Sequence, residues 1–200
     1  MVLTRTRRGL AGFAGAFVLM LVAGCSTAPD SPAFPVPRFT DTPPIALDVA
    51  EIEIEQSYRP PMTKPNVEHR VPVSPASAAR QWARDRFKAV GERGTATLEI
   101  VEAGITEEEL KTKSGVSGAL TTEPATRYEA RLEMMLNVDR PTDSGSLRVR
   151  GGRSTSVLEG ASLNERDQAW YDLVKNLMTA MDQQMARTLS DNLGRYVVRR

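Results

Sequence analysis

From Tyr128 to Val138 the chain alternates without a break. Tyr128, Ala130, Leu132, Met134, Leu136 and Val138 are apolar, while Arg127, Glu129, Arg131 and Glu133 supply the polar set. Period-two alternation sends the two sets to opposite faces, so this segment predicts a strand with one dry and one wet face. The polar stretch Asp139–Gly145 then turns the chain into a second strand near Ser146–Leu158, and so short a connection predicts antiparallel pairing. Upstream, Thr95–Ala103 also reads as a strand, running onward into Thr106–Thr112.

The period changes to that of a helix after Ser162. Trp170, Leu173, Val174, Leu177, Met181, Met185 and Leu189 trace one stripe between about Leu163 and Leu193. Ser162-Leu163-Asn164-Glu165 has the form of a capping box, and Gly194 closes the helix. An earlier helix starts at Ser74, a good N-cap, with Pro75 in the first helical position. Its apolar face is Ala79, Trp82, Ala83, Phe87 and Val90, and Gly91 is its expected stop. Before it, Leu47–Glu55 reads as a strand whose apolar parity slips between Val49 and Ile52, which predicts a bulge or burial on both faces. The expected architecture is α+β: a mostly antiparallel four-stranded sheet, in the order strand, helix, three strands, helix, with both helices on one face.

Two long segments fit neither period. Tyr58–Val73 is rich in proline, and Lys113–Ala125 holds Gly115, Gly118 and Pro124. Long loops in compact domains are often functional, so their apolar residues are candidate anchors for a partner: Tyr58, Met62 and Val67 in the first, Val116 and Leu120 in the second.

The N-terminus carries a different kind of signal. Arg5, Arg7 and Arg8 precede an apolar run from about Leu10 to Val22, and Val22-Ala23-Gly24-Cys25 has the form of a bacterial lipobox. A membrane span needs about 20 apolar residues, and this run is shorter and broken by Gly12 and Gly15. The expectation is a lipoprotein signal peptide over residues 1–24, cleaved to leave an acylated Cys25. Three acyl chains hold a membrane far more firmly than one. Residues 25–45, with five prolines beyond Asp30, then read as an extended tether, and residues 46–200 as one periplasmic α+β domain.

Loss of residues 1–24 removes three basic residues and no acidic ones, leaving 23 basic against 25 acidic, a net charge of −2. That balance gives no basic patch for nucleic acid. Cys25 is the only cysteine, so the domain has no disulfide to lean on.

Catalytic chemistry finds little to work with. His69 is the only histidine, which excludes a multi-histidine metal cluster, and no Gly-x-Ser-x-Gly surrounds any serine. Gly151-Gly152-Arg153 lacks the lysine-serine pair of a phosphate loop and reads as a bulge or bend in a strand. Glu107-Glu108-Glu109 reads as a solvated strand end in preference to a cation site. Met178, Met181 and Met185 recur at helical spacing and read as core in preference to an adaptable groove. No catalytic residue, metal or cofactor is expected.

The order of elements behind a lipobox and a proline-rich tether resembles small envelope lipoproteins, among them the lipopolysaccharide-assembly lipoprotein family and the ABC-type transport auxiliary lipoproteins. The most similar parts are Ala79-Arg80-Gln81-Trp82-Ala83 in the first helix and the terminal helix after Asn164-Glu165-Arg166-Asp167. Pro65-Asn66-Val67-Glu68-His69 is similar to a segment of alphaproteobacterial lipoproteins. The resemblance implies a role class only: non-catalytic bracing of an envelope protein partner in transport or assembly. Ser26 after the cysteine, in place of the aspartate associated with inner-membrane retention, implies the outer membrane, facing the periplasm. The alternative expectation is a carrier that holds a lipid or other apolar ligand between sheet and helices.

Overall fold

The computed structural model describes residues 34–110 and 124–198. Cys25, Val116 and Leu120 lie outside these residues. The main sheet is built from β2 (Glu51–Gln56), β4 (Thr95–Glu109), β5 (Pro124–Arg140) and β6 (Asp143–Leu158), in the order β2-β4-β5-β6. β4, β5 and β6 are antiparallel, and β2 joins the edge of β4 in parallel. Helices α1 (Pro75–Arg86) and α2 (Leu163–Asn192) cover one face of this sheet. A second, two-stranded parallel ribbon pairs β1 (Ile45–Leu47) with β3 (Phe87–Ala89). The α+β architecture is the one the periodicity predicts.

The core forms where the alternating strand meets the helical stripes. Leu98, Ile100, Leu132, Met134 and Leu136 interleave with Trp82, Leu177, Met178 and Met181, all at most 1% exposed. Burying a side chain of this size contributes about 1.5–3 kcal/mol, so these residues hold the fold without a disulfide. Both helix starts take the expected caps. Ser74 Oγ accepts from the Ser77 N–H, and Ser162 and Glu165 close a complete capping box.

Tertiary pairing redraws several expected boundaries. The single strand expected over Leu47–Glu55 is two strands in two sheets: Leu47 and Val49 are fully buried, and the parity slip marks where the chain leaves one sheet for the other. α1 stops at Arg86, short of the expected Gly91, because Phe87 turns extended to pair with Ile45 and sets its ring edge-on to Trp82 at 5.2 Å. Gly91 serves a different need: a Cβ there would lie 2.7 Å from the Val49 nitrogen. β4 is one strand of 15 residues, and a register shift between Ile100 and Glu102 moves its buried set from Leu98 and Ile100 to Ala103 and Ile105. Gly151 makes no bulge: it pairs in register with Leu132, and a Cβ on it would come within 2.8 Å of Met181 Sδ. Its missing side chain lets α2 lie close on β6. The hairpin turn is tighter than expected, with only Pro141 and Thr142 between β5 and β6.

The proline-rich tether also departs from expectation. Its C-terminal part, Phe34–Pro44, is strapped to the domain. Phe34 packs on Tyr171 of α2 with ring centroids 5.4 Å apart, and Val36 and Phe39 reach the core. Arg38 pairs with Asp85, whose carboxylate also accepts the Phe39 N–H at 3.0 Å. Arg86, 3% exposed, donates to the carbonyls of Thr42 and Pro43 and to Asp182 of α2, which also accepts from Trp82 Nε1 at 2.8 Å. One buried guanidinium thus joins the strap to both helices.

Candidate functional site

The edge of β4 beyond Ile100 is not covered by β2, and the loop from Tyr58 to Val73 takes its place. The Val67 N–H donates to the Ile105 carbonyl and the Glu107 N–H to the Pro65 carbonyl, both at 2.8 Å, and Asn66 bridges Thr106. Edges left open invite unwanted pairing, and this one is capped by the chain itself. Glu68, 3% exposed, fastens the loop a second time. Its carboxylate accepts the Tyr58 hydroxyl at 2.8 Å and the Ile105 N–H at 3.2 Å. Burial and that bond to a carboxylate push the Tyr58 phenol well above its usual pKa.

Two of the expected partner anchors are therefore structural. Tyr58 is a hydrogen-bonded strut, and Val67 is fully buried in the core, out of a partner's reach. Of the expected anchors among the described residues, Met62 is the one left largely exposed. It is 61% exposed, with φ of 60°, at the tip of the loop. His69 is exposed next to the buried Glu68. Glu107 is not a solvated strand end: its side chain is 14% exposed, paired with Lys64 at 3.2 Å and Arg70 at 3.8 Å. Those cations neutralise it and leave it unsuited to a metal.

Two other large apolar side chains, Leu158 and Leu163, are exposed at the same end of the sheet. The register sets Glu109 beside Thr126, and Pro124 opposite Leu158, so the loop, the start of β5 and the β6–α2 turn share one end of the sheet. Leu158 is 49% exposed and Leu163 is 73% exposed, on either side of that turn. Between β6 and α2 runs a groove in two parts. A polar part of about 380 Å³ is lined by Arg153, Thr155, Gln168, Asp172 and Asn176. A more apolar part of about 330 Å³ is lined by Val157, Leu158, Ala161 and Ala169. In a strand Leu158 reads as an ordinary apolar position, and Leu163 lies beside the capping box, so neither signals exposure in the sequence.

Another cleft, about 520 Å³, lies between Asp48, Arg93, Arg140 and Thr142. Two of its charges, Asp48 and Arg140, are paired with each other. Arg140 bonds Asp48 at 2.7 Å and Asp143 at 2.9 Å, and lies 4.6 Å from the centroid of the buried Tyr196 ring. Arg195 approaches the same ring at 4.8 Å. The Tyr196 carbonyl accepts the Asp48 N–H, so this cluster fastens the C-terminal segment beside β1. Among the described residues no group of three or more His, Cys, Asp or Glu is placed to hold a metal, and no helix is long and apolar enough to cross a membrane. Met178, Met181 and Met185 are at most 1% exposed and, with Leu98, Met134 and Leu177, belong to the core between sheet and helices.

No family model matches this chain, and no curated protein matches it. Among solved structures, one similar chain is the rare lipoprotein B from Shewanella oneidensis, at 14% identity and a TM-score of 0.39, over 70% of this chain and 97% of that one. A likeness of that size carries no argument about this chain's role.

Proposed function

We propose that this chain is an outer-membrane lipoprotein, acylated on Cys25 and facing the periplasm, that acts as a non-catalytic adapter for an envelope transport or assembly protein. The lipobox Val22-Ala23-Gly24-Cys25 is the observation that carries this reading. The strap sharpens it. With Phe34–Pro44 held on the helices, only the nine residues from Cys25 to Ala33 remain as spacer, about 30 Å at full extension. The domain then works in a thin layer beside the bilayer, where confinement raises its effective concentration for neighbouring membrane proteins.

In this reading the contact residues are the exposed apolar side chains Met62, Leu158 and Leu163, since exposed apolar surface marks interaction sites. The carrier alternative needs an enclosed apolar space, and the core side chains between sheet and helices count against it. The test is in-cell photo-crosslinking from Met62, Leu158 and Leu163 in the lipidated chain. A discrete adduct with one envelope protein, lacking when the crosslinker is placed at Arg84 on the outside of α1, is the expected outcome. Lipid recovered in place of a protein adduct would favour the carrier.

A further inference from the structure

The two outer strands of the main sheet have opposite charge. β2, at one edge, reads Glu51-Ile52-Glu53-Ile54-Glu55-Gln56, with all three glutamates exposed. β6, at the other edge, has Arg148, Arg150 and Arg153 and no acidic residue between Ser144 and Leu158. Among the described residues, no backbone hydrogen bond reaches the outer side of β2 over Ile52–Glu55 or that of β6 over Gly145–Val157. Like charges on an edge strand guard it against pairing with its own kind. Here each edge repels itself, and each attracts the other.

We infer that copies of this chain join head to tail, with β2 of one copy adding in parallel to β6 of the next. Both strands run in the same direction in the sheet, because β2 is parallel to β4, and β4 and β6 are each antiparallel to β5. Translation of one copy beside another therefore sets β2 along β6 without reversing it. The faces match as well. A register that places Glu53 and Glu55 beside Arg148 and Arg150 on the wet face places Ile52 and Ile54 beside Leu147 and Val149 on the dry face. Slipping by one residue would invert every side chain, so charge and burial select the same register. Arg148 and Arg150 already share Glu133, at 2.7 and 3.6 Å, but one carboxylate serves two guanidiniums and leaves a positive excess. The contact joins two different surfaces, so it repeats from copy to copy and does not close on itself as a two-fold dimer would. It uses the sheet edges, away from Met62 and Leu163, and does not depend on the adapter reading.

The test is disulfide trapping between full-length chains carrying single cysteines, Glu53→Cys in one and Arg148→Cys in the other, with the chain bearing neither as the control for Cys25. A crosslinked product in the mixture and not in either variant alone is expected, and the double variant should give a ladder of products. Adding Glu51→Arg and Glu55→Arg to the Glu53→Cys chain should reduce the mixed product about tenfold. Pairing that chain with one carrying Arg148→Cys and Arg150→Glu should restore part of it, which separates lost attraction from lost folding. No mixed product, or equal product from each single variant alone, overturns the inference.

Discussion

The two proline-rich segments look alike in sequence and are held in different ways. Tyr58–Val73 is bound mainly through its backbone, by ladder-like bonds to the uncovered edge of β4, with Glu68 buried beneath it. Phe34–Pro44 has no strand to pair with. It is bound by side chains, through Asp85 and the Arg86–Asp182 hub, and by Phe34, Val36 and Phe39 against the core. Prolines remove backbone donors and favour extended chain, but they do not decide whether that chain is free. What decides is whether the folded domain offers unsatisfied edges or buried charges nearby. An attachment made of charges can be loosened by pH or a single substitution; main-chain bonds carry no charge to titrate and no side chain to replace.

The largest effect is expected at Arg86→Ala, which removes the guanidinium shared by strap and helices and leaves Asp182 without its buried cation. Breaking a buried pair on one side costs about 3–5 kcal/mol, so the thermal midpoint should fall by many degrees, as read by circular dichroism. Glu68→Ala should cost about 2–3 kcal/mol, since the Tyr58 hydroxyl and the Ile105 N–H lose their acceptor, and Glu68→Gln should cost less because the amide oxygen still accepts. Asp85→Asn should cost about 1 kcal/mol. Its sharper readout is local: trypsin should cut after Arg38 faster than in the parent, while the core resists.

The same carboxylate predicts a pH dependence confined to the strap. Burial raises the Asp85 pKa, but the bonds from Phe39 N–H, Arg38 and Gln81 outweigh it, and the folded value lies below the ordinary one. A lowered acid stabilises the fold above its unfolded pKa, about 3.9, and that contribution is lost as pH falls through the lower folded value. Accelerated cleavage after an exposed Arg38 site, by an acid-active protease, should therefore begin below about pH 4 and be blunted in Asp85→Asn. The smallest effect on stability is expected at Met62→Ser, within about 0.5 kcal/mol, because its side chain is mostly exposed. The same substitution should diminish the envelope-protein adduct.

Much of the fold is legible in the sequence because it rests on periodicity. The alternation of β5, the stripe of α2 and both caps translate directly into the dry face, its helical cover and the helix starts. What periodicity misses is set by contacts far apart in sequence. Phe87 and Val90 continue the helical spacing of α1, yet the pairing of Phe87 with Ile45 pulls the chain out of the helix. Val67 sits in a proline-rich stretch that looks like surface, and only the unpaired edge of β4 explains its burial. Of the candidate contact residues, Met62 is legible as a loop apolar residue. Leu158 and Leu163 are not, because only the way β6 turns into α2 leaves them exposed.

The proposed role depends on anchoring of the domain through an acylated Cys25. The most direct test is intact-mass analysis of the N-terminal peptide from the membrane-extracted protein. The expected result is loss of residues 1–24 and three acyl chains on Cys25, with Cys25→Ala abolishing both the added mass and the membrane association. An N-terminus that begins elsewhere, or an unmodified Cys25 in the membrane-bound protein, would contradict it.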